Sequence, residues 1–548
     1  MARRGDHAVH ARSGLRGGMP LTLVACAVLV VAPLVPAALG SGSPNALLGL
    51  PGESVVALVV LLIVVSRSLQ SVAAGVYAAA VVAAILVASL DAAFRATIDR
   101  PFNLAEDGGA IADAFGVVQD AIGPVSAALV VVLIGAAAAG LAVVVAVSAL
   151  RVGRAAREEG ARGRAAVTAV AAAWVIFSLA GTEVAPGAPV AASGVGDTLV
   201  AASTRAAASV QEQRAFERAL ASDPVAADPP ARPMAVLAGK DVVIAFVESY
   251  GRVAVEPSPF TDGIARTLDA GADTLERHGY AARSAFLTSP TFGGVSWLAH
   301  ATLQSGVRVD SPRKYERLFE HGRSTLTGLF GAAGWRTMAV VPSNSRAWEA
   351  GEAFYGFDAV LDSRTMGYRG PAFGYARMPD QYTWHVFHEH AALDGTQPVM
   401  AEIDLVSSHA PWTPFPRMVP WDELGDGSVF SGQVAGAESP VGAWTDPEQA
   451  RALYGESVAY SLEATFSYLE TFPQDDLVLI MLGDHQPARI VTGPDAGYDV
   501  PVTVIAKDRA VWEAIESWGW EAGVRPSAQA PVWAMDDFRD RFVDAFSR

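Results

Sequence analysis

The residues best suited to chemistry stand where apolar runs stop. In LIMLGDHQPARI (479–490) the run ends at Asp484-His485, with a glycine before the pair and a proline soon after. Glu248 closes another run in AFVESYG (245–251), and His409 follows a third in LVSSHAPWTPF (405–415). Two carboxylates and an imidazole suit a hard or borderline divalent ion such as Mn²⁺ or Zn²⁺. Oxygen-rich ligation also leaves room for a substrate oxygen. Each residue alone has an ordinary alternative: Glu248 as a helix cap, His409 as a turn residue, Asp484-His485 as the two sides of a tight turn.

A nucleophile is the next requirement. SPTFGGVSWLAHATLQSG (289–306) places Gly293-Gly294 just before Ser296, and an apolar stretch that could begin a helix follows. A hydroxyl at a helix start can reach a metal while the helix N–H groups favour an anionic substrate. Coordination would lower its pKa and make it a competent nucleophile. The plainer role for Ser296 is a helix N-cap, and Thr291 is the alternative hydroxyl.

These groups need a scaffold that brings strand ends together. DVVIAFVES, TMAVVPS, PVMAEIDLVSS, DLVLIMLGD and VPVTVIAKD are short, near-continuous apolar runs rich in β-branched residues. Such runs suggest strands buried on both faces of a parallel α/β sheet. GIARTLDAGADTLERHG and DPEQARALYGESVAYSLEATFSYLETF supply packing helices. In open α/β sheets the ligand crevice lies beyond the carboxyl ends of the strands, where these candidates fall.

The first 190 positions are different in kind. Apolar stretches near 20–40, 47–65, 70–90, 122–148 and 167–188 approach or exceed the roughly 20 residues that span a bilayer. The length of the first run and the spans behind it argue against a cleaved signal peptide. Arg3, Arg4, Arg12 and Arg16 precede the first span, and Arg67 lies between the second and third. Arg151, Arg154, Arg157, Arg162 and Arg164 cluster between the fourth and fifth. With five spans all of these share one side, which the positive-inside rule makes cytoplasmic. Everything after about 190 is then outside, as is the 91–120 loop, read as a partly amphipathic surface segment. The expected domains are a five-span membrane domain (1–190), a helical and proline-rich linker ending in DPPARP (191–235), and an α/β domain (236–548).

Composition narrows the field further. With 40 basic residues against 57 acidic ones among 548, nonspecific nucleic-acid binding is disfavoured. The single cysteine, Cys26, rules out a disulfide framework or a cysteine-built metal site within one chain.

With these residues in place the sequence resembles the sulfatase and alkaline-phosphatase superfamily over about 240–510. The likeness is greatest to membrane enzymes of the lipoteichoic acid synthase and lipid A phosphoethanolamine transferase type. The resemblance implies a polytopic helical membrane domain followed by an extracytoplasmic sulfatase-like α/β domain with a mostly parallel central sheet. It implies Glu248, Asp484, His485 and Ser296 as ligands of one divalent ion, Mn²⁺ or Zn²⁺. Ser296 stands ten positions before Gly306, the register of the sulfatase nucleophile, and His300 falls where sulfatases carry arginine. The sulfatase motif's proline and arginine are both missing, which points to a serine used directly rather than converted to formylglycine. His409 resembles the mid-domain histidine that contacts the transferred phosphate or a second metal, and Trp348 an aromatic substrate contact. Ser296, His409 and His300 are thus the catalytic candidates, with Arg346 a further phosphate contact.

The activity implied is transfer of a phosphoglycerol- or phosphoethanolamine-like headgroup from a membrane lipid to an envelope glycan, polymer or lipid acceptor. The alternatives are a membrane-anchored sulfatase or phosphodiesterase, and an inactive envelope scaffold of the same shape.

Overall fold

The computed structural model describes residues 13–108, 124–391, 397–435, 442 and 445–547. Two compact units emerge, Met1–Arg95 with Arg100–Gln211, and Ala96–Asp99 with Glu212–Arg548.

The first unit is helical: α1 (Ser13–Val31), α2 (Val35–Ser41), α3 (Gly52–Ile63), α4 (Arg67–Ile98), α5 (Pro124–Glu158), α6 (Ala161–Ala180) and α7 (Gly194–Ala221). Among the described residues, four stretches are long and apolar enough to cross a membrane: Met19–Ser41, Arg67–Ile98, Val125–Glu158 and Ala161–Ala180. The second expected span is not among them, because the 47–65 run yields only the 12-residue α3. Pro44 opens a short 3-10 turn, and Leu50–Pro51 is extended and pairs with Ala191–Ala192. Proline has no N–H to give a helix, so the apolar run is cut before it reaches spanning length. The arginines between α5 and α6 flank a tight turn in which Gly160 takes a left-handed backbone. Arg3, Arg4, Arg12 and most of the 91–120 loop's second half lie outside the described residues.

The second unit is an α/β domain around a nine-stranded sheet. Its strands are β1 (Asp241–Val247), β2 (Ala281–Thr288), β3 (Arg336–Val341), β4 (Ala359–Asp362), β5 (Val399–Leu405), β6 (Leu477–Gly483), β7 (Asp499–Ala506), β8 (Glu521–Ala522) and β9 (Val532–Ala534). The order is β8-β2-β7-β6-β1-β5-β3-β4, with β9 beside β2. From β6 through β4 every pairing is parallel, whereas β6–β7, β7–β2 and β2–β8 are antiparallel. All five expected strands are present; β7, one of them, runs against its neighbours.

The central strands are buried on both faces. Val243, Ala245 and Val247 face one core with α8 (Asp262–Arg277), α11 (Asp380–Ala391) and α12 (Pro447–Thr471). Ile244 and Phe246 face another, packed by α9 (Ser296–Ser305), α10 (Leu326–Ala332) and α13 (Phe538–Phe546). α12 starts cleanly because Asp446 accepts from the N–H groups of Glu448 and Gln449, with Pro447 in the first turn.

The C-terminal end of α9 is clamped by arginines. Arg323 donates to the carbonyls of Ser305 (2.6 Å) and Gly306 (3.2 Å), the orphan acceptors of a helix end. Arg539, fully buried, lies against Gly306, whose φ of +60° and lack of a side chain admit the guanidinium. Arg539 pairs with Asp223 at 2.8 Å and Asp540 at 2.7 Å. Burial works against the Asp223 carboxylate, but Arg539 and Arg323 outweigh it and hold its pKa below the usual range. A depressed folded-state pKa stabilises above the unfolded value of about 3.9, and that share is lost as pH falls through the folded value. Asp223→Asn should cost about 3 kcal/mol at neutral pH, the low end for breaking a buried pair because Asp540 remains. The melting-temperature gap between wild type and variant should close as pH drops below about 4.

Candidate active site

Strand register builds the site. β1 and β6 are parallel neighbours with Val247 opposite Gly483, so the residues that follow them, Glu248 and Asp484, emerge side by side. Gly483 is required here: a side chain on it would lie 1.9 Å from the Tyr250 carbonyl oxygen. The sharp stop after LIML is therefore not an ordinary turn. It delivers Asp484 and His485 onto Glu248, and all three are buried.

The geometry is tight. His485 Nδ1 lies 2.8 Å from the Gln486 carbonyl, which can only accept, so Nδ1 carries the proton and Nε2 faces the carboxylates. Nε2 is 3.3 Å from Glu248 Oε1 and 3.6 Å from Asp484 Oδ2. Asp484 Oδ1 accepts from the N–H groups of Ser249 and His485, both at 2.7 Å. Ser249 reaches this position through a left-handed backbone, φ 57°, and its hydroxyl donates to Glu248 Oε1 at 3.0 Å.

Ser296 completes the group. Val295 takes a left-handed conformation (φ 58°) and occupies the helix cap position without a side-chain bond, so Ser296 is the first helical residue rather than the N-cap. Its hydroxyl donates to Glu248 Oε2 at 3.0 Å and lies 3.2 Å from His485 Nε2. Thr291, the other hydroxyl, is buried beside Ser289, whose hydroxyl accepts from the Thr291 N–H at 3.2 Å.

Charge is balanced unevenly across the cluster. Burial opposes ionisation of Glu248, yet His409, His485 and the Ser249 hydroxyl keep its pKa well below the usual carboxylate range. Asp484 is pushed up to about 6 by burial and by the neighbouring Glu248 charge. Burial also disfavours the charged form of His485, but Asp484 and Glu248 overcome it and raise its pKa to about 9. The donor atoms of Glu248, Asp484 and His485 lie within 4.8 Å of one another. Two carboxylates, an imidazole nitrogen and an adjacent hydroxyl fit a divalent ion.

His409 and His300 stand apart from this cluster. His409 stacks on Tyr375, ring centres 3.8 Å apart, with Nδ1 2.5 Å from the Ala410 carbonyl. His300 makes no hydrogen bond to Ser296 among the described residues. Its Nδ1 lies 3.1 Å from Glu402 Oε1 and 3.5 Å from Asp404 Oδ1, and its ring stacks on Phe246 at 3.7 Å. Trp348 packs on Tyr355, and Arg346 is exposed. Sequence reading passed over Ser249, Glu402 and Asp404. The signal for the last two was present: two carboxylates at alternate positions of an otherwise apolar strand, AEIDL, share one face of the sheet.

No family model matches the sequence, and no curated protein matches it. Solved structures to which the fold is similar include the lipoteichoic acid synthase LtaP from Listeria monocytogenes (16% identity, 57% of this chain and 73% of that one, TM-score 0.38). They also include the lipooligosaccharide phosphoethanolamine transferase A (EptA) from Neisseria meningitidis (12%, 96% and 95%, TM-score 0.42). A third is the phosphoglycerol transferase GacH from Streptococcus pyogenes in complex with sn-glycerol-1-phosphate (11%, 62% and 91%, TM-score 0.35). Such low identities and TM-scores leave the functional reading to this chain's own residues.

Gly483→Ala tests the strand-end geometry. The added methyl must displace the Tyr250 backbone or Asp484, so divalent-ion affinity should fall at least about tenfold, the scale seen when supports of a metal site are lost. Metal titration by calorimetry on the folded variant reads this directly.

Proposed function

We propose that the chain transfers a phosphoryl-bearing headgroup, phosphoglycerol- or phosphoethanolamine-like, from a membrane lipid to an envelope acceptor through a covalent intermediate on Ser296. The observation that supports this most is the placement of the Ser296 hydroxyl. It sits at the start of α9, within hydrogen-bond reach of both Glu248 and His485.

Glu248, Asp484 and His485 would hold one divalent ion, Mn²⁺ or Zn²⁺, which supplies a lower hydroxyl pKa and a counter-charge for the phosphoryl oxygens. The Ser296–Glu248 hydrogen bond aims the hydroxyl oxygen, and the proton that a coordinated hydroxyl would give up passes to water. That oxygen attacks phosphorus, the bond from phosphorus to the lipid oxygen breaks, and the lipid alcohol leaves with a proton. The N-terminus of α9, where Ser296 stands, would favour an anionic group there. An acceptor hydroxyl then attacks the phosphoserine, restores Ser296 and completes the transfer; water in that role gives hydrolysis. His409, stacked on Tyr375, is the candidate for protonating the leaving oxygen or orienting a substrate oxygen.

The apolar helices suit a lipid donor. With the arginine-rich connections cytoplasmic, the α/β domain would lie on the extracytoplasmic face of the cell membrane, where envelope acceptors are found.

The test is turnover of a panel of lipid phosphodiesters beside a sulfate ester, using the metal-loaded full chain. Ser296→Ala should lower lipid phosphodiester turnover at least about a thousandfold, while Ser296→Thr keeps a hydroxyl and part of the rate. Sulfate-ester turnover alone would make the protein a sulfatase. An unchanged rate in Ser296→Ala would move the nucleophile to Thr291, and an inert, folded, metal-loaded wild type would make it a scaffold.

A further inference from the structure

A second group of buried ionisable side chains repeats the composition of the first. His300, Glu402 and Asp404 each offer a donor atom, and these atoms lie within 4.8 Å of one another. The carboxylates come from alternate positions of β5, on the face that meets α9. Ile244 pairs with Glu402 and Phe246 with Asp404 in the sheet register. His300 lies one turn along α9 from Ser296, so one helix face serves both groups.

An internal ion pair does not account for the arrangement. Two carboxylates face one imidazole, one donor more than a single ion pair uses. Asp404 Oδ1 is buried and makes no hydrogen bond among the described residues, with His300 Nδ1 3.5 Å away. The group is also held rigidly by outer partners, as a ligand set requires. Gln304 donates to Glu402 Oε2 at 2.5 Å, and its own oxygen accepts from the N–H and hydroxyl of Thr327 at 3.0 and 3.1 Å. Phe246 fixes the plane of the His300 ring by stacking. An approach exists because the Asp404 side chain is 23% exposed, while Glu402 is 8% exposed.

We infer that His300, Glu402 and Asp404 form a second divalent-cation site next to the one at Glu248, Asp484 and His485. Two oxygens and an imidazole nitrogen favour Mn²⁺ or Zn²⁺ over Mg²⁺. A cation at this position would lie one turn of α9 from Ser296 and add counter-charge for a phosphoryl substrate. The site stands whether or not Ser296 is the nucleophile.

Metal stoichiometry tests it. The full chain in detergent is stripped with chelator, reloaded with Mn²⁺ or with Zn²⁺, freed of excess, and its metal content measured by plasma mass spectrometry. Wild type should retain two ions per chain. His300→Ala and the near-isosteric Asp404→Asn should each retain one, and Asp484→Asn should also retain one; melting curves confirm that the variants are folded. One ion in wild type, unchanged in His300→Ala and Asp404→Asn but lost in Asp484→Asn, would overturn the second site and leave the first intact. Two ions retained in both His300→Ala and Asp404→Asn would also overturn it. No ion in wild type would remove both sites together.

Discussion

Everything at this site depends on the confinement of like charges at the ends of adjacent parallel strands. The register of β1 against β6 places Glu248 beside Asp484, and burial removes the water that would screen them. Such a pair is costly in an apolar interior unless hydrogen bonds and opposite charge surround it. Both are supplied by neighbours in sequence: the N–H groups of Ser249 and His485 converge on one Asp484 oxygen, and the His485 ring faces both carboxylates. Ser249 takes a strained left-handed backbone (φ 57°) as it donates its N–H to Asp484.

The surroundings hold this backbone through its carbonyls. Ser408 donates to the Glu248 carbonyl and Ser289 to the Asp484 carbonyl, both at 2.6 Å, and Tyr454 donates to the Ser249 carbonyl at 3.0 Å. Each donor comes from a different part of the domain, so the two loops are fixed from several directions at once. The nucleophile proposed at Ser296 needs such rigidity, because a nucleophile loses much of its rate when displaced by about 1 Å.

The apolar strands were legible because burial on both faces leaves near-continuous runs of branched residues. Asp484-His485 and Glu248 were legible because charge that interrupts such a run must be placed for a reason. β2 escaped notice because Arg283 and Ser284 break its apolar character, and it runs antiparallel beyond β7. The second apolar stretch of the helical N-terminal region misled because hydropathy does not register what Pro44 and Pro51 do to a helix. Glu402 and Asp404 were missed for a different reason. Their meaning depends on which helix covers their face of the sheet, and that is a property of tertiary packing rather than of one strand.

That helix is α9, and its role explains why Ser296 and His300 share it. Residues four apart on a helix lie on one face, so α9 presents one side chain to each charged group. Its C-terminal carbonyls are held by Arg323, and Arg539 closes over Gly306, while its N-terminus meets the Glu248 cluster. A slide of α9 along its axis would carry Ser296 and His300 together, detuning both groups in one motion. Anchoring the helix through buried guanidiniums therefore does more than stabilise the domain. It fixes the distance from a hydroxyl to one set of carboxylates and from an imidazole to the other, by a single mechanical constraint.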